Sequence, residues 1–142
     1  MPRQVILASH GELATGLLNT LKLILGETVN ARAWGLTPGH NAAELVDMLA
    51  PEIESHPQVT YIILTDLYGA SVFTSLCQLL SYKNVHLFSG LNTALAIAAL
   101  TEEGGSMGTA ETQGWIDVAR NDIRETRAAD LEQSPNQRWN EF

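Results

Sequence analysis

A single cysteine, Cys77, rules out an internal disulfide and suits a reducing compartment. No CxxC pair or His/Cys cluster of zinc-binding spacing is present, so no metal or other cofactor is expected. Basic residues are scarce: 8 Lys and Arg stand against 16 Asp and Glu, a net charge of −8. Tracking a nucleic-acid backbone needs clustered cations, so no nucleic-acid partner is expected. No segment reaches the roughly 18 uninterrupted apolar residues of a membrane helix. The opening "MPRQVILASHGE" has too short an apolar run for a signal peptide, and a cytoplasmic location is expected.

What remains is an ordinary globular composition, 45% hydrophobic over 142 residues, long enough for one domain with a real core. Strand and helix patterns alternate. Residues 4–9 form a β-rich apolar run. Residues 12–25 then set Leu13, Leu17, Leu21 and Leu25 four apart, one face of a helix stopped by Gly26. A second strand is expected over 31–36 and a second helix over 42–54, with Pro51 expected to kink or break it. The run 59–65, "VTYIILT", has the continuous apolar character of a central parallel strand. Helix 71–82, strand 85–89, helix 93–103 and helix 110–121 complete the pattern. "IRETR", residues 123–127, reads as a polar edge strand. Residues 1–131 are expected to form the domain and 132–142 a polar tail.

Four βα units in series imply an α/β fold of the flavodoxin-like kind, a parallel sheet in the order 2-1-3-4 with helices on both faces. Ligands bind such sheets beyond the carboxyl ends of the strands, where the order reverses. Three strand ends carry polar residues and a glycine: "SHG", "TDLYGAS" and "SGLN". The expected order sets His10 beside Asp66, with Ser9, Ser71 and Ser89 as nearby hydroxyls. A carboxylate that accepts from Nδ1–H fixes one tautomer and leaves the Nε2 lone pair outward. Nε2 would serve a hydrolase as the base for a serine. No GxSxG elbow is present, and the alternative is that His10 is itself the nucleophile. A helix opening near Ser71 points its first amides into the same crevice, where a phosphoryl group is the obvious anion.

On these residues the chain resembles the mannose family of phosphotransferase-system (PTS) enzyme IIA proteins. "ILASHGELATGLLNTLKLILGE" is similar to that family's phosphohistidine motif, "ILTDLYGASVFTSL" to its second motif and "FSGLNTALAIAAL" to its third, in the same order and spacing. The resemblance implies a phosphotransferase component of sugar transport. Its histidine takes a phosphoryl group from HPr and passes it to an enzyme IIB, which serves membrane IIC and IID components. Carried over by motif position, His10 is the phosphorylated residue, Asp66 orients the imidazole, and Ser71, with Ala70 and Gly69, binds the phosphoryl group. Ser9, Gly11, Tyr68, Ser89 and Asn92 are candidates to line the site. The family is homodimeric with an exchanged C-terminal strand, for which "IRETR" is the candidate. This chain departs from the second motif at Ala70, Val72 and Thr74, and from the third at Thr93 and Ala94. Ala70 adds a methyl group where backbone is expected to approach the phosphoryl group.

Two other readings stay open: the phosphocarrier subunit of a dihydroxyacetone kinase, whose histidine motif is similar, and a non-catalytic regulatory module on the same fold. A receiver domain would need an acidic pair where Ser9 and His10 stand. Of the other histidines, His40 reads as a solvated turn residue, His56 has no evident role, and His86 reads as a structural residue within a strand.

Overall fold

A computed structural model describes residues 2–102 and 107–133. The tail beyond 133, and the end of the helix expected to reach 103, lie outside the described residues. The chain order is β1 (Arg3–His10), α1 (Leu13–Leu25), β2 (Ala31–Leu36), α2 (Ala43–Ser55), β3 (Thr60–Thr65), α3 (Ser71–Leu76), a 3₁₀ turn (Cys77–Ser81), β4 (Val85–Phe88), α4 (Thr93–Thr101), α5 (Thr109–Asn121) and α6 (Ala128–Gln133). The strands form one sheet in the order β2-β1-β3-β4. Every pairing is parallel. The flavodoxin-like order expected from the sequence is therefore the observed one.

Alternation along the central strands feeds two cores. Val5, Leu7, Ile62 and Leu64 pack beneath α1, α4 and α5, against Leu17, Leu21, Leu95 and Trp115. Ile6, Ala8 and Ile63 face α2 and α3, against Leu45, Leu49, Ile53, Val72 and Leu76. Because helices cover both faces, all of β3 is buried, which is why its sequence shows no polar alternation. Each fully buried Leu or Ile there contributes about 1.5–3 kcal/mol relative to exposure.

Several local features differ from expectation or add to it. Helix α2 runs unbroken through Pro51. Proline withholds one amide from the carbonyl four residues back, and both Pro51 and Asp47 are exposed, so water can serve that carbonyl. The helix after Ser71 is α-helical only to Leu76 and then tightens to 3₁₀. Within α1, Leu17 and Leu21 are buried, but Leu13, beside His10 in the first turn, is 54% exposed. Residues 123–127 form no strand in the single chain. A strand needs a neighbour to pair with; here the Arg127 amide instead donates to Asp130 Oδ2, 2.8 Å, and opens the unexpected helix α6. His56 does have a local role: it follows α2, and its Nδ1 lies 2.8 Å from the Glu52 carbonyl. His86 is half-buried in β4, where burial first, and the nearby Arg3 second, push it below the usual imidazole range.

Candidate functional site

His10 is the last residue of β1, and the neighbouring β3 ends at Thr65, one residue before Asp66. Parallel pairing of the two strands brings these side chains together from opposite ends of a long sequence separation. The His10 Nδ1 lies 2.8 Å from Asp66 Oδ2. The same oxygen accepts the His10 backbone amide at 2.9 Å, and Oδ1 accepts the Leu67 amide at 3.0 Å. Burial alone would raise the Asp66 carboxyl, but these donors outweigh it and hold the group below its ordinary value. An ionised Asp66 can only accept, so the neutral imidazole carries its hydrogen on Nδ1. Its Nε2 lone pair then faces outward, 3.3 Å from Ser71 Oγ, and the histidine side chain is 47% exposed.

Between Asp66 and Ser71 the chain makes a tight turn, closed by the Ala70 amide on the Leu67 carbonyl at 3.2 Å. Gly69 supplies the positive φ of 80° this turn requires. Ala70 sits in ordinary extended backbone, φ −78° and ψ 173°, so its methyl group brings no conformational strain. Val72 is fully buried in the core beneath α3, and the Thr74 hydroxyl donates to the Gly69 carbonyl at 3.2 Å. The substituted second motif thus still forms a hydrogen-bonded turn into α3. The first amides of such a helix have no intrahelical acceptor and face outward from its start.

Not every expected residue joins this cluster. Ser9 is fully buried and its hydroxyl accepts the Ala14 amide at 2.8 Å, so it ties down α1 and does not line the crevice. Gly11 follows His10 directly, and its amide donates to the Leu36 carbonyl at 2.7 Å. Asn92 caps α4: its Oδ1 accepts the Leu95 amide at 2.7 Å, and its Nδ2 donates to the Ala119 carbonyl of α5. Ser89 and Asn92 instead border a cavity of about 650 Å³ along the side of β4 that β3 does not pair, with Tyr68, Phe73, Phe88 and Ile123. Sequence reasoning missed two exposed apolar neighbours of the histidine and carboxylate, Leu13 and Leu67. Leu13 looked like part of the buried stripe of α1, and nothing in the pattern marked it as an exception.

A family model described as "PTS system fructose IIA component" (EIIA-man) matches residues 4–113. The sorbose-specific EIIA component of the PTS of Klebsiella pneumoniae is 30% identical over 93 residues, 65% of this chain and 68% of that protein. Among solved structures, a K. pneumoniae protein assigned to a phosphoenolpyruvate-dependent sugar phosphotransferase system superposes with a TM-score of 0.79 at 28% identity, covering 95% of each chain. The mannose/sorbose-specific IIA subunit from Enterococcus faecalis has the same fold, with a TM-score of 0.78 at 22% identity over 89% of this chain and 96% of its own. Fold, motif order and sequence relatives agree, and the chain belongs to the mannose-type family of enzyme IIA components of the sugar phosphotransferase system.

Proposed function

We propose that this chain is a phosphocarrier in which His10 Nε2 takes a phosphoryl group from the phosphohistidine of HPr and hands it to an enzyme IIB, upstream of membrane IIC and IID components. One observation carries the reading: a single imidazole is fixed at Nδ1 by Asp66 while its Nε2 faces Ser71 and solvent. Attack by the Nε2 lone pair forms a new P–N bond as the donor's P–N bond breaks, and the donor imidazole leaves with that electron pair. His10 keeps its Nδ1 proton, and the Asp66 carboxylate meets the positive charge that develops on the ring. The Ser71 hydroxyl and the opening amides of α3, reached through Gly69 and Ala70, donate to the phosphoryl oxygens.

The exposed side chains Leu13, Leu67 and Tyr68, the last 77% exposed, suit a partner that docks transiently over the histidine. The cavity beside β4 supports the dimer reading. An unpaired strand edge with apolar walls is a template for another strand, and residues 123–127 of a second copy are the proposed occupant. The reading implies a cytoplasmic location, and among the described residues no helix is long and apolar enough to cross a membrane.

The test is phosphoryl transfer with purified components. Incubation with phosphoenolpyruvate, enzyme I and HPr is expected to add one acid-labile phosphoryl group by intact mass, and none to His10→Ala. A wild-type chain left unmodified by a cognate, active HPr would overturn the carrier reading in favour of a regulatory module.

A further inference from the structure

We propose that Gly35, in the neighbouring strand β2, is a positioning residue for His10, acting through the turn that follows the histidine. The register pairs Ser9 with Gly35 and His10 with Leu36. At the end of β1 the chain turns through Gly11, whose φ of +57° lies in the left-handed region. The Gly11 amide is tied to the Leu36 carbonyl at 2.7 Å. Its carbonyl oxygen fills the space where a side chain on residue 35 would stand. A Cβ built on Gly35 would lie 2.1 Å from Gly11 O and 3.2 Å from Gly11 C.

Two features make this a steric constraint between the turn and β2. Gly35 has no positive φ, so an L residue could adopt its backbone, and the requirement for glycine is purely steric. The obstructing atoms are also backbone, which cannot swing aside as a flexible side chain would. Ordinary contact begins at 3.4 Å, so a side chain at 35 forces the Gly11 turn and β2 apart by roughly 1.3 Å. On its other flank His10 is held by Asp66 Oδ2 through both its amide and its Nδ1. A displaced turn therefore cannot keep the Leu36 bond, the Asp66 bonds and the Nε2–Ser71 approach together. Misplacement by that distance costs a reaction about 100-fold. The imidazole is set from two sides, by a carboxylate just past the end of β3 and by the missing side chain in β2.

The inference rests on the phosphocarrier reading for its rate measurement only; its geometric half is read separately. Gly35→Ala is compared with Ala33→Gly, which loosens the same strand without approaching the turn. The expected result is about 100-fold slower phosphorylation by HPr in Gly35→Ala, with loss of the imidazole Nδ1–H resonance bound to Asp66 in proton–nitrogen NMR. Ala33→Gly should keep both. A Gly35→Ala protein with a wild-type imidazole spectrum would overturn the proposal. If the wild type takes no phosphoryl group, the carrier reading fails, and the spectrum alone decides the role of Gly35. Should Gly35→Ala not fold, amide exchange in the wild type decides. The Gly11 amide, although in an exposed residue, should exchange slowly because Leu36 holds it, and exchange as fast as at Glu12 would contradict the clamp.

Discussion

Two histidines in this molecule have the same kind of immediate partner, a carboxylate, and different surroundings. His10 pairs through Nδ1 with Asp66 at 2.8 Å, and His40 pairs through Nδ1 with Glu44 at 2.9 Å. By distance alone they are equivalent. The Asp66 side chain, however, is only 13% exposed and accepts two further backbone amides, whereas Glu44 is 48% exposed and reaches His40 from one turn along the chain. The His10 pair joins two strands of a buried sheet, and Ser71 comes from a third segment to meet the free nitrogen. His40 lies in a loop, and its pair restrains nothing but itself. A histidine–carboxylate contact becomes a candidate site when the framework, and not the contact, fixes the geometry.

This contrast is open to measurement, beginning with the largest effect. His10→Ala should abolish phosphorylation, while His40→Ala should leave its extent unchanged by intact mass. Equal labelling of the two variants would erase the distinction. Asp66→Asn presents an amide to Nδ1 and so favours the wrong tautomer. Its initial rate of phosphorylation should fall on the order of 10³-fold or more, whereas Glu44→Gln should leave that rate within a factor of about two. Ser71→Ala removes one hydroxyl donor and should slow transfer about tenfold.

Stability against pH sharpens the same comparison. The folded pKa of Asp66 lies below its ordinary value of 3.8, so its contribution is present above that value and is lost as the pH falls through the folded pKa. Denaturant melts at falling pH should show this acid loss in the wild type and a shallower one in Asp66→Asn. The smallest effect belongs to Glu44→Gln, whose stability at neutral pH should stay within about 0.5 kcal/mol of wild type because the pair is solvated.

Much of the site was legible because strand ends announce themselves: "SHG" and "TDLYGAS" interrupt apolar runs with groups that cannot be buried unpaired. The adjacency of His10 and Asp66 then followed from the strand order alone. Ser9 is legible by the same logic, as a core residue and not as a lining one. Val5 and Leu7 face α1, and the two-residue period of a strand turns Ser9 to that same side. Pro51 shows the limit of a local rule, since its effect depends on whether the deprived carbonyl can meet water. The role of Gly35 depends on the approach of two backbones far apart in sequence, and a glycine within a strand hints at such an approach without naming the other chain segment. Residues 123–127 stay irregular in the single chain, because an edge strand exists only with its partner.

The central claim is that Nε2 of His10 is the reacting atom because Asp66 holds Nδ1. The direct measurement is nitrogen–phosphorus coupling by NMR in the phosphorylated, nitrogen-labelled protein. The account requires phosphorus bonded to Nε2 of His10 with hydrogen retained on Nδ1. Phosphorus on Nδ1 of His10, or on either nitrogen of His40, would contradict it.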